Sequence, residues 1–124
     1  MHGDLYAHNI LCSPDGTPLL TDFGAASFVK GHLGSPLHPS VRSDLLEKLE
    51  VRAFGCLVDD LLGCMHEEGE HVIAAGMEAR RKTVTDLRDL QNRCFLHAVE
   101  ARPDFATIFS ELEAIVSSSP DLFI

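Results

Sequence analysis

The chain lacks tryptophan altogether and has a single tyrosine, Tyr6, among its 124 residues. It has no apolar run near the ~20 residues that a membrane-spanning helix needs. It also lacks an excess of positive charge: ten Lys+Arg stand against nineteen Asp+Glu, a net charge of −9. That balance argues against a nucleic-acid module and against a polybasic membrane binder. The opening Met1-His2-Gly3-Asp4 has neither the basic nor the apolar region of a secretory signal. Of the four cysteines, Cys12, Cys56, Cys64 and Cys94, no two form a C-x-x-C pair, which disfavours a zinc ribbon. Cys56 and Cys64 fall in one helical stretch, where eight residues rise by ~12 Å. That exceeds the ~7 Å limit between disulfide-bonded Cα atoms. Free thiols imply a reducing, cytoplasmic setting.

What remains is a chain with 45% hydrophobic residues, enough to exclude wholesale disorder and to build one small core. Residues 8–23 predict a β-hairpin, with Asn9–Cys12 and Pro18–Thr21 as strands and Pro14-Asp15-Gly16 supplying the turn. Residues 24–44 are punctuated by Gly24, Gly31, Gly34, Pro36 and Pro39 and predict a loop, with a short helical piece from Ser43 to Leu49. Phe54, Leu57, Val58, Leu61, Leu62 and Met65 recur at helical spacing and predict a helix over 49–65. A polar break at 66–71 is followed by a weaker helix, Val72–Arg81, and a clearer one, Val84–Phe95, with Thr83 and Asp86 as its capping pair. A last helix is expected over Pro103–Val116, capped by Asp104, with Phe105, Ile108, Phe109, Leu112, Ile115 and Val116 as its apolar stripe.

Chemistry concentrates at the front. His2-Gly3-Asp4-Leu5-Tyr6-Ala7-His8-Asn9 precedes the hairpin, and Asp22-Phe23-Gly24 follows it. The hairpin returns the chain so that Asp22 faces Asp4 and Asn9. Two carboxylates and an amide suit a hard cation such as Mg²⁺, with phosphate oxygens completing its shell. A carboxylate outside that shell can orient a hydroxyl and take its proton.

These residues resemble the protein-kinase catalytic loop H-R-D-L-x-x-x-N followed by D-F-G. Glu50-Val51-Arg52-Ala53-Phe54-Gly55 is similar to the D-V-W-S-F-G start of that family's long buried helix. Arg102-Pro103-Asp104-Phe105 is similar to its R-P-x-F motif. The resemblance covers nearly the whole chain. It implies a mainly α fold, the kinase-like C-lobe with one β-hairpin beside the catalytic loop and the N-lobe absent. Residues 1–24 would be the catalytic loop, hairpin and D-F-G, and 25–48 a shortened activation segment. Residues 49–117 would form the helical subdomain and 118–124 a tail.

The implied activity is transfer of the ATP γ-phosphoryl group to a protein hydroxyl, with Mg²⁺ and ATP as cofactors. Asp4 corresponds to the residue that accepts the hydroxyl proton, and His8 is a candidate phosphate donor. Asn9 and Asp22 correspond to the Mg²⁺ ligands, while Phe23 and Gly24 would set the conformation of Asp22. His2 corresponds to a packing residue under the loop.

The chain also departs from the family. Gly3 stands where most protein kinases carry Arg, so activation-segment phosphorylation would have no partner there. His-Gly-Asp is also the form in aminoglycoside- and choline-type kinases, which makes a small-molecule kinase the alternative. Tyr6 replaces a Lys that touches the γ-phosphate. No A-P-E follows, which leaves Arg102 without its usual Glu; Glu47 and Glu50 are the candidates. No Gly-rich loop is present, and none of the N-lobe. Met1 would then be an internal methionine or the start of a remnant, and the isolated chain would be inactive, a pseudokinase-like binding module. The expected partners are a protein substrate and an N-lobe or other chain covering the bare cleft, with no nucleic acid and no membrane. Without that cover, exposed apolar surface at the hairpin predicts self-association.

Plainer readings stand beside these. Asp4, Asn9 and Asp22 are also good turn residues. Cys64, His66 and His71 fit a solvated loop better than a metal site, and Glu67, Glu68 and Glu70 a solvated face. Asp59 and Asp60 fit the polar edge of a helix, and Cys94 fits the core.

Overall fold

The computed structural model describes residues 1–27, 43–67 and 74–118. The described chain is mainly helical, with one two-stranded antiparallel sheet. A 3₁₀ turn, Ala7–Asn9, leads into β1 (Ile10–Cys12). After a turn comes β2 (Pro18–Leu20), then a second 3₁₀ turn, Phe23–Ala25. The helices are α1 (Ser43–Glu67), α2 (Ala74–Cys94) and α3 (Phe105–Ser118), with a 3₁₀ turn at Val99–Ala101 before α3.

The hairpin forms where the turn residues place it. Ile10 pairs with Leu20, Leu11 with Leu19 and Cys12 with Pro18. Gly16 takes φ +86°, and its N–H bonds the Ser13 carbonyl at 2.9 Å. The Asp15 carboxylate accepts from the Ser13 hydroxyl and from the Thr17 N–H, which holds it below the usual carboxylate range.

The core lies where the three helices meet. Val51 of α1, Leu90 and Cys94 of α2 and Ile108 of α3 form its centre, with Phe54, Phe105 and Leu112 packed around them. Gly55 lets α1 and α2 approach: a Cβ there would lie 2.9 Å from Cys94 Cβ. Across the same seam, Gln91 Nε2 donates to Asp59 Oδ1 at 2.8 Å, so Asp59 is a helix-to-helix acceptor. Arg93 pairs with Glu111 to tie α2 to α3. Asp104 caps α3, accepting the Thr107 N–H at 2.8 Å.

Several expectations change. α1 starts at Ser43 rather than 49 and absorbs the short helical piece. The two helices read as Val72–Arg81 and Val84–Phe95 are one helix within the described residues. Thr83 is buried in its interior and not at a helix start. Leu61 (54% exposed) and Phe109 (62% exposed) leave the apolar faces assigned to them, because each points away from the three-helix seam. Cys94 is buried as expected, but Cys12, Cys56 and Cys64 are exposed. Most of the expected activation segment (28–42), together with Glu68, Glu70, His71, Val72 and residues 119–124, lies outside the described residues.

Residues 47–51 form a node. The Glu47 carboxylate accepts the Phe105 N–H at 2.9 Å. The Lys48 carbonyl accepts from Arg102 Nη1 at 3.0 Å, and Lys48 Nζ donates to the Arg102 carbonyl at 2.5 Å. Glu50 reaches the N-terminal loop, and Val51 is wholly buried.

Candidate active site

The loop from His2 to Asn9 is held from below by α1. The buried Glu50 carboxylate accepts the His2 N–H at 3.1 Å and the Gly3 N–H at 3.1 and 3.2 Å. Charge-assisted bonds of this kind are roughly twice as strong as neutral ones. They also satisfy two backbone donors that would otherwise be costly to bury.

The loop is held from the side by the stretch after the hairpin. Met1 and Ser27 exchange both backbone hydrogen bonds at 3.1 Å. Gly3, at φ +85°, presses on Ala25 so closely that a Cβ would sit 2.5 Å from its carbonyl oxygen. The buried His2 ring places Nε2 2.9 Å from the Thr21 carbonyl. A carbonyl only accepts, so Nε2 carries the proton, and Nδ1 is left buried with no partner among the described residues. The same ring meets Phe23 edge-on, with centroids 4.9 Å apart.

Asp4 and Asn9 come together. Asn9 Nδ2 donates to the Asp4 carbonyl at 2.9 Å and to Asp4 Oδ2 at 3.0 Å. The Asn9 carbonyl accepts from the Thr21 N–H and Thr21 hydroxyl, so this buried asparagine joins loop and hairpin. With its nitrogen committed to Asp4, the amide keeps Oδ1 as an acceptor.

Asp22 is the only described non-glycine residue with positive φ, at +57°. That left-handed conformation is uncommon outside glycine and tolerated best by Asn and Asp. Its Oδ1 accepts the Gly24 N–H at 3.3 Å, and Oδ2 has no hydrogen bond among the described residues. Desolvation first, then the charges of Asp4 and Asp22, push the Tyr6 phenol pKa up. The exposed His8 ring lies against Tyr6, and no hydrogen bond joins it to Asp4, Asn9 or Asp22 among the described residues.

Among the described residues no group of three or more His, Cys, Asp or Glu is placed to hold a metal ion. Asn9 Oδ1 and Asp22 Oδ2 offer one neutral and one anionic oxygen. Mg²⁺ is commonly held this way, by one or two protein carboxylates with water and phosphate oxygens in its remaining positions. Each oxygen is of a kind that Mg²⁺ accepts, and among the described residues no hydrogen bond joins Asp22 to Asp4 or Asn9.

Arg102 pairs with neither Glu47 nor Glu50. It is buried, and its Nε and Nη1 donate to the Leu96 and Lys48 carbonyls at 2.9 and 3.0 Å. Both glutamates are engaged elsewhere, one by Phe105 and one by the loop. The anchoring role of Glu50 was the residue function missed from sequence. The available signal was its place as the first residue of the second motif, just before the buried Val51.

No described helix is long and apolar enough to cross a membrane. No family model matches this chain, and neither the curated proteins nor the solved structures hold a match to it.

Proposed function

We propose that residues 1–27, seated on α1, form the phosphoryl-transfer edge of a protein kinase-like phosphotransferase acting on a protein hydroxyl. One observation carries the reading. Glu50, which heads the second kinase-like motif, is hydrogen-bonded to His2 and Gly3 of the first, 48 and 47 residues away. Two resemblances found separately in sequence thus meet through a buried carboxylate.

Asn9 and Asp22 would hold Mg²⁺, which when bound with ATP neutralises phosphate charge. Asp4 would orient the acceptor hydroxyl and take its proton through Oδ1, while Asn9 steadies Oδ2. Phe23, braced on His2, and Gly24, bonded to Asp22, would keep Asp22 in its left-handed conformation. Gly3 has a positive φ and a close approach to Ala25, a conformational reason for glycine that by itself favours neither class of kinase.

The test uses the native product carrying these residues, γ-labelled ATP, Mg²⁺ and mixed acceptors. Label on protein, lost in Asp4→Asn and in Asp22→Asn, is the expected result. Label confined to amino sugars or choline would move the assignment to the small-molecule class. No transfer, with no saturable Mg-ATP binding, would overturn the reading.

A further inference from the structure

We infer that the Thr21 hydroxyl is a positioning group: it fixes the backbone of Asn9 relative to Asp22, and so sets how well these two residues offer their oxygens to one Mg²⁺. The inference rests on the phosphotransfer reading above.

The two oxygens assigned to Mg²⁺ lie on separate stretches of chain, and no hydrogen bond joins the Asp22 side chain to Asn9 among the described residues. Something else must hold them in register. Thr21 immediately precedes Asp22, and its N–H, hydroxyl and carbonyl all bond the His2–Asn9 loop. The N–H donates to the Asn9 carbonyl at 2.8 Å, and the hydroxyl donates to the same carbonyl at 3.0 Å. The Thr21 carbonyl accepts from His2 Nε2 at 2.9 Å.

The joint needs the side chain because the ladder ends short of it. Ile10 and Leu20 are the last paired residues on this side of the hairpin. A regular antiparallel pair at Asn9 and Thr21 would exchange two backbone bonds. Only one of them forms, because Asn9 closes a 3₁₀ turn and its N–H bonds the Tyr6 carbonyl at 3.0 Å instead. On the other strand Asp22, at φ +57°, cannot continue the pairing. The Thr21 hydroxyl therefore supplies the second bond that the backbone does not. The Asn9 amide nitrogen is committed to Asp4, so movement of the Asn9 backbone is movement of Oδ1 as well.

The test uses the native product carrying these residues. Thr21→Val keeps the branched shape and the backbone bond and removes only the hydroxyl; Thr21→Ser keeps the hydroxyl. Calorimetric titration with Mg²⁺ and ATP gives affinity, and labelling of protein acceptors over a Mg²⁺ series gives the Mg²⁺ needed for half-maximal transfer. In Thr21→Val both should worsen by about three- to tenfold, the equivalent of one hydrogen bond, while the rate at saturating Mg²⁺ is retained. Thr21→Ser should restore both. A general loosening of the fold would lower the saturated rate too and would not be rescued by serine. If Thr21→Val loses its helical circular dichroism, Thr21→Ala against Thr21→Ser decides by the same criteria. The inference is overturned if Thr21→Val matches the native product, if Thr21→Ser is as weak as Thr21→Val, or if the saturated rate falls in step with affinity. A native product that neither binds Mg-ATP nor transfers phosphate would overturn the phosphotransfer reading itself, and this inference with it.

Discussion

Gly3 and Gly16 have nearly the same φ, +85° and +86°, yet of the two only Gly3 has a neighbour in reach of a Cβ. Comparing alanine at each position separates conformation from contact. Gly16→Ala should cost about 1–2 kcal/mol, the penalty of a left-handed L-residue. Gly3→Ala should cost a further ~1–3 kcal/mol because the Ala25 carbonyl must move. Urea melts of the two variants measure the difference, and equal costs would show that the approach to Ala25 is soft. At Glu50 the issue is charge. Glu50→Gln retains the shape and one acceptor oxygen but loses the charge assistance shared by His2 and Gly3. A loss of ~1.5–3 kcal/mol is expected, with faster amide exchange at those two residues while the α2 and α3 amides keep their relative protection.

At the scale of elements, Gly55 is a point of close approach between α1 and the end of α2. Gly55→Ala forces a methyl group to within 2.9 Å of Cys94 Cβ and 3.1 Å of the Phe95 ring. Overpacking of this kind should lower stability by about 1–3 kcal/mol, read as a fall in the thermal midpoint. The elements differed in how openly the sequence announced them. The hairpin was legible because Pro14, Asp15 and Gly16 dictate a turn locally, and its register followed. The centre of α1 was legible because its apolar residues recur from Phe54 to Met65. Its first six residues were read as helical but as a separate piece, since the bonds that fix their place run from Glu47 and Lys48 to residues more than fifty positions away. α2 was split in two because Thr83 and Asp86 imitate a cap. With no Gly or Pro to stop it there, extending a helix costs less than starting a second one, and Lys82 and Asp86 form an i,i+4 pair across the supposed break. In the site, the spacing of Asp4, Asn9 and Asp22 was readable, and the tie from Glu50 was not, because nothing local encodes it.

For the whole molecule, the buried thiol of Cys94 links stability to alkaline pH. Burial pushes it from an ordinary 9.0 to about 11. The unfolded chain therefore releases this proton first, and between pH 9 and pH 11 it holds fewer protons than the folded one. The contribution of Cys94 is complete below pH 9 and is lost as pH rises towards 11. Thermal midpoints of the native chain and of Cys94→Ala, compared across that window, should converge as pH rises; a constant gap would contradict the linkage. The node at residues 47–51 bears on how the chain is made. A polypeptide leaves the ribosome N-terminus first, so Met1–Asn9 emerges well before the carboxylate that anchors it. His2 and Gly3 must wait unanchored until Glu50 is out, and Glu47 and Lys48 lack their partners until Arg102 and Phe105 follow. Such late closure exposes the nascent hairpin during synthesis, and it makes the last quarter of the chain the signal that completes the node at residues 47–51.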